Sequence, residues 1–493
     1  MFAGALQTRL FAAFAGRPAA FWKVTTNVLY VSTRGGAPSL SFEDVLLAGL
    51  ARDGGLYVPE AWPRFSPERA AEISRLPFAD LAVEVIHPFV GDAVTKAELA
   101  RMAHASYAAF DNAEVTPLVR LTPSLSILEL FHGPTLAFKD VAMQLLARLM
   151  DHALERRGRR ATIVGATSGD TGGAAIEAFR SSRRVDVVIL FPAGRVSDVQ
   201  RRMMTTPTEK NVRAVAIDGT FDDCQALVKA MFNDHAFADR VSLSAVNSIN
   251  WARIVAQITY YFAAVGKLSA GAPITFSVPT GNFGDIFAGY AAKRMGLPID
   301  RLIIASNSND ILPRTVETGV YEMRGVSATS SPSMDIQVSS NFERYLFEAS
   351  GRDASRIRGF MQALAANGRF DLGEVAGTLK SEFAAFAASE DDVAVCIRRI
   401  KQDHGYLLDP HTACGVVAAE RAGLAGETVA LATAHPAKFP DAIEAMTGAR
   451  PTLPPRFAHL MSETEHFETL PNDLAAVERF VERARPIKEA ASA

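Results

Sequence analysis

The sequence predicts an α/β protein built on parallel sheets, and three observations carry that prediction. From Pro117 onward, apolar runs rich in β-branched residues alternate with helical segments. The runs are Ile127 to Phe131, Ala161 to Gly165, Val185 to Phe191, Val212 to Ile217, Ile274 to Val278, Leu302 to Ala305 and Val429 to Thr433. Strands covered on both faces give such continuous runs, and a crossover helix between strands is what a parallel sheet requires. Two of the runs end in glycine-rich turns that open helices, around 165–173 and 280–284, which is where open α/β sheets bind ligands. Finally, 493 residues with 48% hydrophobic and 21% charged side chains suffice for two or three globular units of about 100–200 residues each.

In chain order, residues 1–27 come first, with Arg9, Arg17 and Lys23 but no acid; the first acid of the chain is Glu43. Leu10 to Gly16 lies at the lower limit of a secretory apolar region, and Arg17 closes it without a small-residue cleavage site. A mitochondrial transit peptide fits the charge but not the lack of serine, and a start codon assigned too far upstream is the favoured reading. The segment is expected to be a dispensable leader, disordered or a mis-assigned start. Residues 28–115 predict a small helical N-terminal unit: Phe42, Val45, Leu46 and Gly49 share one side, and Pro59, Pro63, Pro67 and Pro77 punctuate short helices. Residues 140–245 are assigned to a small α/β domain, 116–139 together with 246–465 to a large one, and 466–493 to a closing helix and tail. The polar stretch Ser327 to Ser340 is expected to be a mobile loop.

Lys plus Arg is 51 against 54 for Asp plus Glu, which lacks the basic footprint of a nucleic-acid binder and leaves small molecules as the expected partners. Cys224, Cys396 and Cys414 are widely spaced with no CxxC pair, so neither a disulfide framework nor a zinc site is expected, and a reducing, cytoplasmic setting fits. The ten histidines contain no HExxH, so no metal is expected. The apolar runs fall short of the roughly 18 residues of a membrane span.

Three segments hold candidate chemistry. In the turn Gly165-Ala166-Thr167-Ser168-Gly169-Asp170-Thr171-Gly172-Gly173, freed amides at a helix start would bind a carboxylate or phosphate. An ordinary βα turn capped by Ser168 or Asp170 uses the same residues, and the motif alone does not separate the two. In Pro279-Thr280-Gly281-Asn282-Phe283-Gly284-Asp285, Gly281 and Gly284 would let amides approach an anion, while a tight turn with Asn282 left-handed is the alternative. Lys139 lies among Leu136, Phe138, Val141 and Met143. Desolvated there it would be an amine nucleophile able to form a Schiff base; otherwise its stem snorkels to water and its head pairs with an acid. His411 and His435 are expected to be loop or packing residues.

Together these segments resemble the threonine synthase family of pyridoxal-phosphate enzymes, in its longer bacterial and fungal type. HGPTLAFKD at 132–140, TSGDTG at 167–172, GNFGD at 281–285 and TAHPAKF at 433–439 stand in the family's order. Weaker likeness runs through YVSTRG from Tyr30, DGGLYVP at 53–59, IDGTFDDCQALVK at 217–229 and NSINWARIVAQITYYF at 247–262, covering roughly residues 29–460. The resemblance implies two parallel-sheet α/β domains of the tryptophan-synthase-β-like class (fold type II), with pyridoxal 5′-phosphate carried on Lys139. It implies that Gly281, Asn282, Phe283, Gly284 and Asp285 cradle the cofactor phosphate, that Thr433 faces the pyridine nitrogen, and that Thr167, Ser168, Gly169, Asp170 and Thr171 hold the substrate carboxylate. The implied reaction converts O-phospho-L-homoserine and water to L-threonine and phosphate, in a monomer or homodimer. Arg34, Arg253 and Lys438 are candidates for the substrate phosphate. Two alternatives are a phospho-lyase that releases 2-oxobutyrate and a noncatalytic binding protein.

Overall fold

The computed structural model describes residues 28–268 and 274–484. Residues 1–27, on which the leader expectation falls, lie outside them.

Two sheets organise the chain. The larger has six strands in the spatial order Phe383–Ala387, Ile299–Ser306, Ile274–Pro279, Glu427–Ala432, Leu125–Glu129 and Leu118–Arg120. All neighbours run parallel except the last pair. The smaller has five parallel strands, Phe467–Pro471, Val212–Asp218, Val185–Pro192, Ala161–Ala166 and Leu243–Ser244. Ile274–Pro279 and Val185–Pro192, inside their sheets, are buried at every residue, as expected for strands covered by helices on both faces.

Lys139–Arg156 leaves the larger sheet and leads into Ala161–Ala166 of the smaller one, burying Val141, Leu145, Leu149 and Met150 on the way. Trp251–Val265 is apolar almost all round and packs against Phe78–Val90, Lys139–Arg156 and Gly284–Arg294; a helix without a polar face belongs inside a core. One hydrophobic core accordingly runs from the N-terminal unit, through Tyr30, Phe42 and Phe89, to both sheets. None of the helices among the described residues is long and apolar enough to cross a membrane.

Three parts differ from the sequence expectation. The N-terminal unit is not helical throughout, because Leu40–Ser41, Leu29–Ser32 and Tyr57–Pro59 form an antiparallel sheet; strands of two to four residues are too short to show a period. The C-terminal helix Leu474–Ala484 is preceded by an edge strand, Phe467–Pro471, and buries Val477, Phe480 and Val481 against the smaller sheet. The stretch 327–340 is tied into the body of the protein. Asn307 Nδ2 donates to Thr329 Oγ1 and Asp335 Oδ1, both at 2.8 Å, and Ser339 Oγ donates to the Gly281 carbonyl at 2.6 Å.

Candidate active site

Loops at the carboxyl ends of strands from both sheets converge on Lys139. The segment after Leu125–Glu129 is shaped by Asp140, which accepts from the Thr135 amide (2.7 Å) and the Thr135 hydroxyl (2.6 Å). It also runs beside the segment after Glu427–Ala432. The Phe138 amide donates to the Thr433 carbonyl at 2.9 Å, the His435 amide to the Leu136 carbonyl at 3.0 Å, and Ala137 pairs with Ala434. Lys139 and Thr433, separated by nearly three hundred residues in sequence, are thereby placed side by side.

Lys139 opens its helix with only 8% of its surface exposed, its Nζ 3.1 Å from Asp170 Oδ2 and 4.7 Å from the centre of the Phe138 ring. Asp170 begins the helix Asp170–Phe179 at the end of Ala161–Ala166, so this ion pair joins the two sheets. Asp170 is itself 4% exposed and stands 2.7 Å from Lys438 Nζ. It accepts further from Gln200 Nε2 (2.9 Å) and Ser333 Oγ (3.2 Å), and Lys438 also donates to the Thr135 carbonyl (2.8 Å). One carboxylate thus lies between two buried ammonium groups.

Burial alone would raise the Asp170 carboxyl, but the charges of Lys139 and Lys438 outweigh it and hold it well below the usual carboxylate range. Burial pushes Lys139 below the ordinary lysine value; Lys438 and Arg253 add to that and Asp170 opposes it. Among the described residues of this cluster, Arg253 is the cation without a counter-ion. It is 3% exposed, its Nη1 reaches only the Val246 carbonyl at 3.4 Å, its Nε has no partner, and burial pushes it down to about 10.

In the 167–171 loop, the Thr167 hydroxyl accepts from the Gly169 and Gly172 amides, both at 2.9 Å. Neither Ser168 nor Asp170 caps the helix, contrary to the turn alternative. The cap position is Gly169, and the Asp170 carboxylate is engaged by the lysines. Gly169 has φ 137°, and a Cβ there would come within 2.5 Å of the Gln200 amide, so a side chain would strain the backbone and displace Gln200 from Asp170. The amides of Asp170 and Thr171 have no intrahelical acceptor and lie at the positive end of the helix dipole.

In the 281–285 turn, a Cβ on Gly281 would lie 2.8 Å from the Ser333 carbonyl. The Asn282 carbonyl accepts from the Asn341 amide and from Asn341 Nδ2, at 3.0 and 2.9 Å. The left-handed residue is Phe283 (φ 61°) and not Asn282; burial of its ring against Phe342, Tyr345 and Phe383 outweighs the backbone cost. Gly284 opens the helix, and Asp285 Oδ1 accepts from the hydroxyls of Tyr260 and Tyr261. Burial raises Asp285 to about 6 despite these bonds, and its Oδ2 is buried without a partner.

The remaining candidates separate. Arg34 is committed to Glu343 by two bonds of 3.0 and 2.8 Å, whereas Arg253 and Lys438 belong to the cluster around Lys139. His411 Nδ1 sits 2.8 Å from Asp409 Oδ1, and its Nε2 accepts from the Ser333 amide, holding the segment that reaches Asp170. His435 caps its own turn, packs edge-on against Phe131 and is pushed down to about 4 by burial, which keeps it neutral. Gln200, Ser333, Tyr260 and Tyr261 are further site residues outside the candidate motifs. The two tyrosines stand in the segment 247–262 that carries weaker likeness, while Gln200 and Ser333 carry no local signal.

Comparison with known proteins covers nearly the same span. The family described as threonine synthase N terminus matches residues 29–107, pyridoxal-phosphate dependent enzyme 110–434, and threonine synthase, C-terminal 412–481. The threonine synthase of Pseudomonas aeruginosa is 50% identical over 459 residues, covering 92% of this chain and 97% of its own. The crystal structure of pyridoxal-phosphate-bound threonine synthase from Brucella melitensis superposes with a TM-score of 0.91 at 56% identity, over 93% of this chain and 100% of that one. That of the yeast enzyme gives 0.88 at 39% identity, over 92% and 98%.

Proposed function

The chain belongs to the threonine synthase family of pyridoxal-phosphate-dependent enzymes, and on that premise we propose that it converts O-phospho-L-homoserine and water to L-threonine and phosphate at Lys139. The observation that carries this is the buried cluster of Lys139, Asp170 and Lys438, with Arg253 unpaired beside it.

The residues present fit the cofactor. The Lys139 amine, which would bond the cofactor aldehyde, is buried and its ammonium form is disfavoured there. A Cβ on Gly281 would meet the Ser333 carbonyl, so the turn presents bare backbone at that position. Lys139 would hold the aldehyde through its amine, residues 281–285 the phosphate, and Thr433 the ring nitrogen. Because Thr433 is a neutral hydroxyl, it tunes the ring by hydrogen bonding and not by charge pairing. The cofactor supplies an electron sink that stabilises negative charge at the substrate Cα.

The chain's own groups supply the rest. The amides of the 167–171 loop hold the substrate α-carboxylate at a helix N-terminus, and Asp170 keeps the two lysines in place. Lys139, its ammonium form disfavoured by burial, is available as the base that takes the Cα proton and later returns it. Lys438 and Arg253 face the departing γ-phosphate as cationic donors. A proton lost from Cβ lets the phosphate leave, a proton is returned at Cγ, and water then adds at Cβ while the burial of Lys139 and Asp170 keeps bulk solvent out. Three buried free cysteines support a reducing, cytoplasmic setting.

The test is product analysis: the protein is incubated with O-phospho-L-homoserine, and threonine and 2-oxobutyrate are each quantified against released phosphate. Threonine equal to most of the phosphate is expected; 2-oxobutyrate in its place would assign the lyase reaction.

A further inference from the structure

His132 begins the HGPTLAFKD segment, seven residues before Lys139. Its Nε2 lies 2.7 Å from Glu129 Oε2, at the end of Leu125–Glu129, and its Nδ1 lies 2.8 Å from Asp111 Oδ1. Ionised carboxylates only accept, and a neutral imidazole has a single N–H, so both contacts are satisfied only when both ring nitrogens carry protons. Burial disfavours that form, but the bonds to Glu129 and Asp111 outweigh it and raise His132 above the ordinary histidine value.

The other charged and titratable groups facing this ring complete the arrangement. The Tyr406 hydroxyl donates to Glu129 Oε1 at 2.7 Å. Arg456 Nη2 lies 3.2 Å from Asp111 Oδ2 and donates to the carbonyls of His132 (3.1 Å) and Gly133 (2.7 Å). Neutral His435 packs on the neighbouring Phe131, and Lys401 lines the same cavity of about 600 Å³, through which solvent reaches the ring. The Asp111 amide closes back onto the His132 carbonyl at 3.1 Å. Beyond this anchor the loop contains Leu136 at φ 58°, a conformation a leucine rarely adopts. Such a residue persists only where its surroundings fix both ends. Asp140 fixes the far end through Thr135, and the His132 clamp fixes the near one.

We propose that His132, clamped between Asp111 and Glu129, is a positioning residue that sets the loop delivering Lys139 to Asp170 and the cofactor. The inference rests on Lys139 being the cofactor lysine. Loss of one ring proton leaves a carboxylate facing a lone pair, so the clamp opens as pH rises through the titration of His132, and the loop loosens with it.

The test uses the holoenzyme as wild type, His132→Gln and Glu129→Gln, with histidines labelled with ¹⁵N and the His132 signals identified by their loss in His132→Gln. Both ring nitrogens of wild-type His132 are expected to be protonated at pH 7, with a lower titration midpoint in Glu129→Gln. In kinetics, kcat of His132→Gln is expected to fall about tenfold with KM little changed, the scale of one lost charge-assisted hydrogen bond. The alkaline limb of the kcat profile is expected to move to lower pH in Glu129→Gln. A neutral His132 at pH 7, or an alkaline limb identical in wild type and Glu129→Gln, would overturn the proposal. Borohydride reduction that fails to label Lys139 would overturn it through the lysine assignment; the NMR result does not depend on the cofactor and tells the two failures apart.

Discussion

Replacing Asp170 with asparagine perturbs the site at the one group that joins both lysines. The carboxylate is 3.1 Å from Lys139 Nζ and 2.7 Å from Lys438 Nζ, and all three side chains are buried. An asparagine carbonyl still accepts from Gln200 Nε2, and the Ser333 hydroxyl can turn to accept from the new amide, so the two neutral hydrogen bonds survive in kind. What is lost is the counter-charge of two buried ammonium groups, and removing one partner of a buried ion pair costs about 3–5 kcal/mol. Asp170→Asn should therefore destabilise the apoprotein by about that amount in urea unfolding. Adding Lys438→Met removes one of the stranded charges, so the double variant should be less destabilised than the sum of the singles by at least about 1 kcal/mol. A loss under about 1 kcal/mol in Asp170→Asn, or strict additivity in the cycle, would refute the view that one carboxylate organises both lysines.

Arg253→Met should leave the apoprotein as stable or more so, since it removes a buried charge without a counter-ion, while raising KM for O-phospho-L-homoserine about a hundredfold, as loss of a cationic phosphate contact requires; equal destabilisation and unchanged KM would contradict both halves. Asp285 has a folded-state value of about 6, above that of an unfolded aspartate, so its contribution to stability is fully present below about pH 4 and lost as pH rises toward 6. Asp285→Asn should remove about 3 kcal/mol of that pH dependence in the apoprotein, read from unfolding midpoints at pH 4 and 7; an unchanged slope would contradict it.

What the sequence revealed and what it hid follow from the range of the interactions. Both glycine-rich turns were legible because a strand, a tight turn and a helix start are encoded within a dozen residues, and the apolar frame of Lys139 is local too. The strand Phe383–Ala387 escaped because its alanine-rich run favours helix as an isolated segment; it is a strand only through pairing with Ile299–Ser306. Phe467–Pro471 escaped because an exposed edge strand shows no apolar period, and its partner Val212–Asp218 lies about 250 residues away in sequence. Gln200 and Ser333 could not be seen at all, since each gains its role from a single side-chain contact with Asp170, Gln200 from the neighbouring helix on the same sheet and Ser333 from a segment that follows the strands of the larger one. Asp170 itself was located but read as a cap or carboxylate binder; its tie to Lys438 depends on the segment after the Glu427–Ala432 strand arriving beside Thr135.

The central claim is that Lys139 is the lysine on which the cofactor is carried. The measurement that tests it most directly is borohydride reduction of the purified protein followed by peptide mass mapping. The pyridoxyl group is predicted on the peptide containing Lys139 and nowhere else, with the label absent from a folded Lys139→Ala variant. A label on Lys438 or on any other lysine, or its persistence in Lys139→Ala, would contradict the claim.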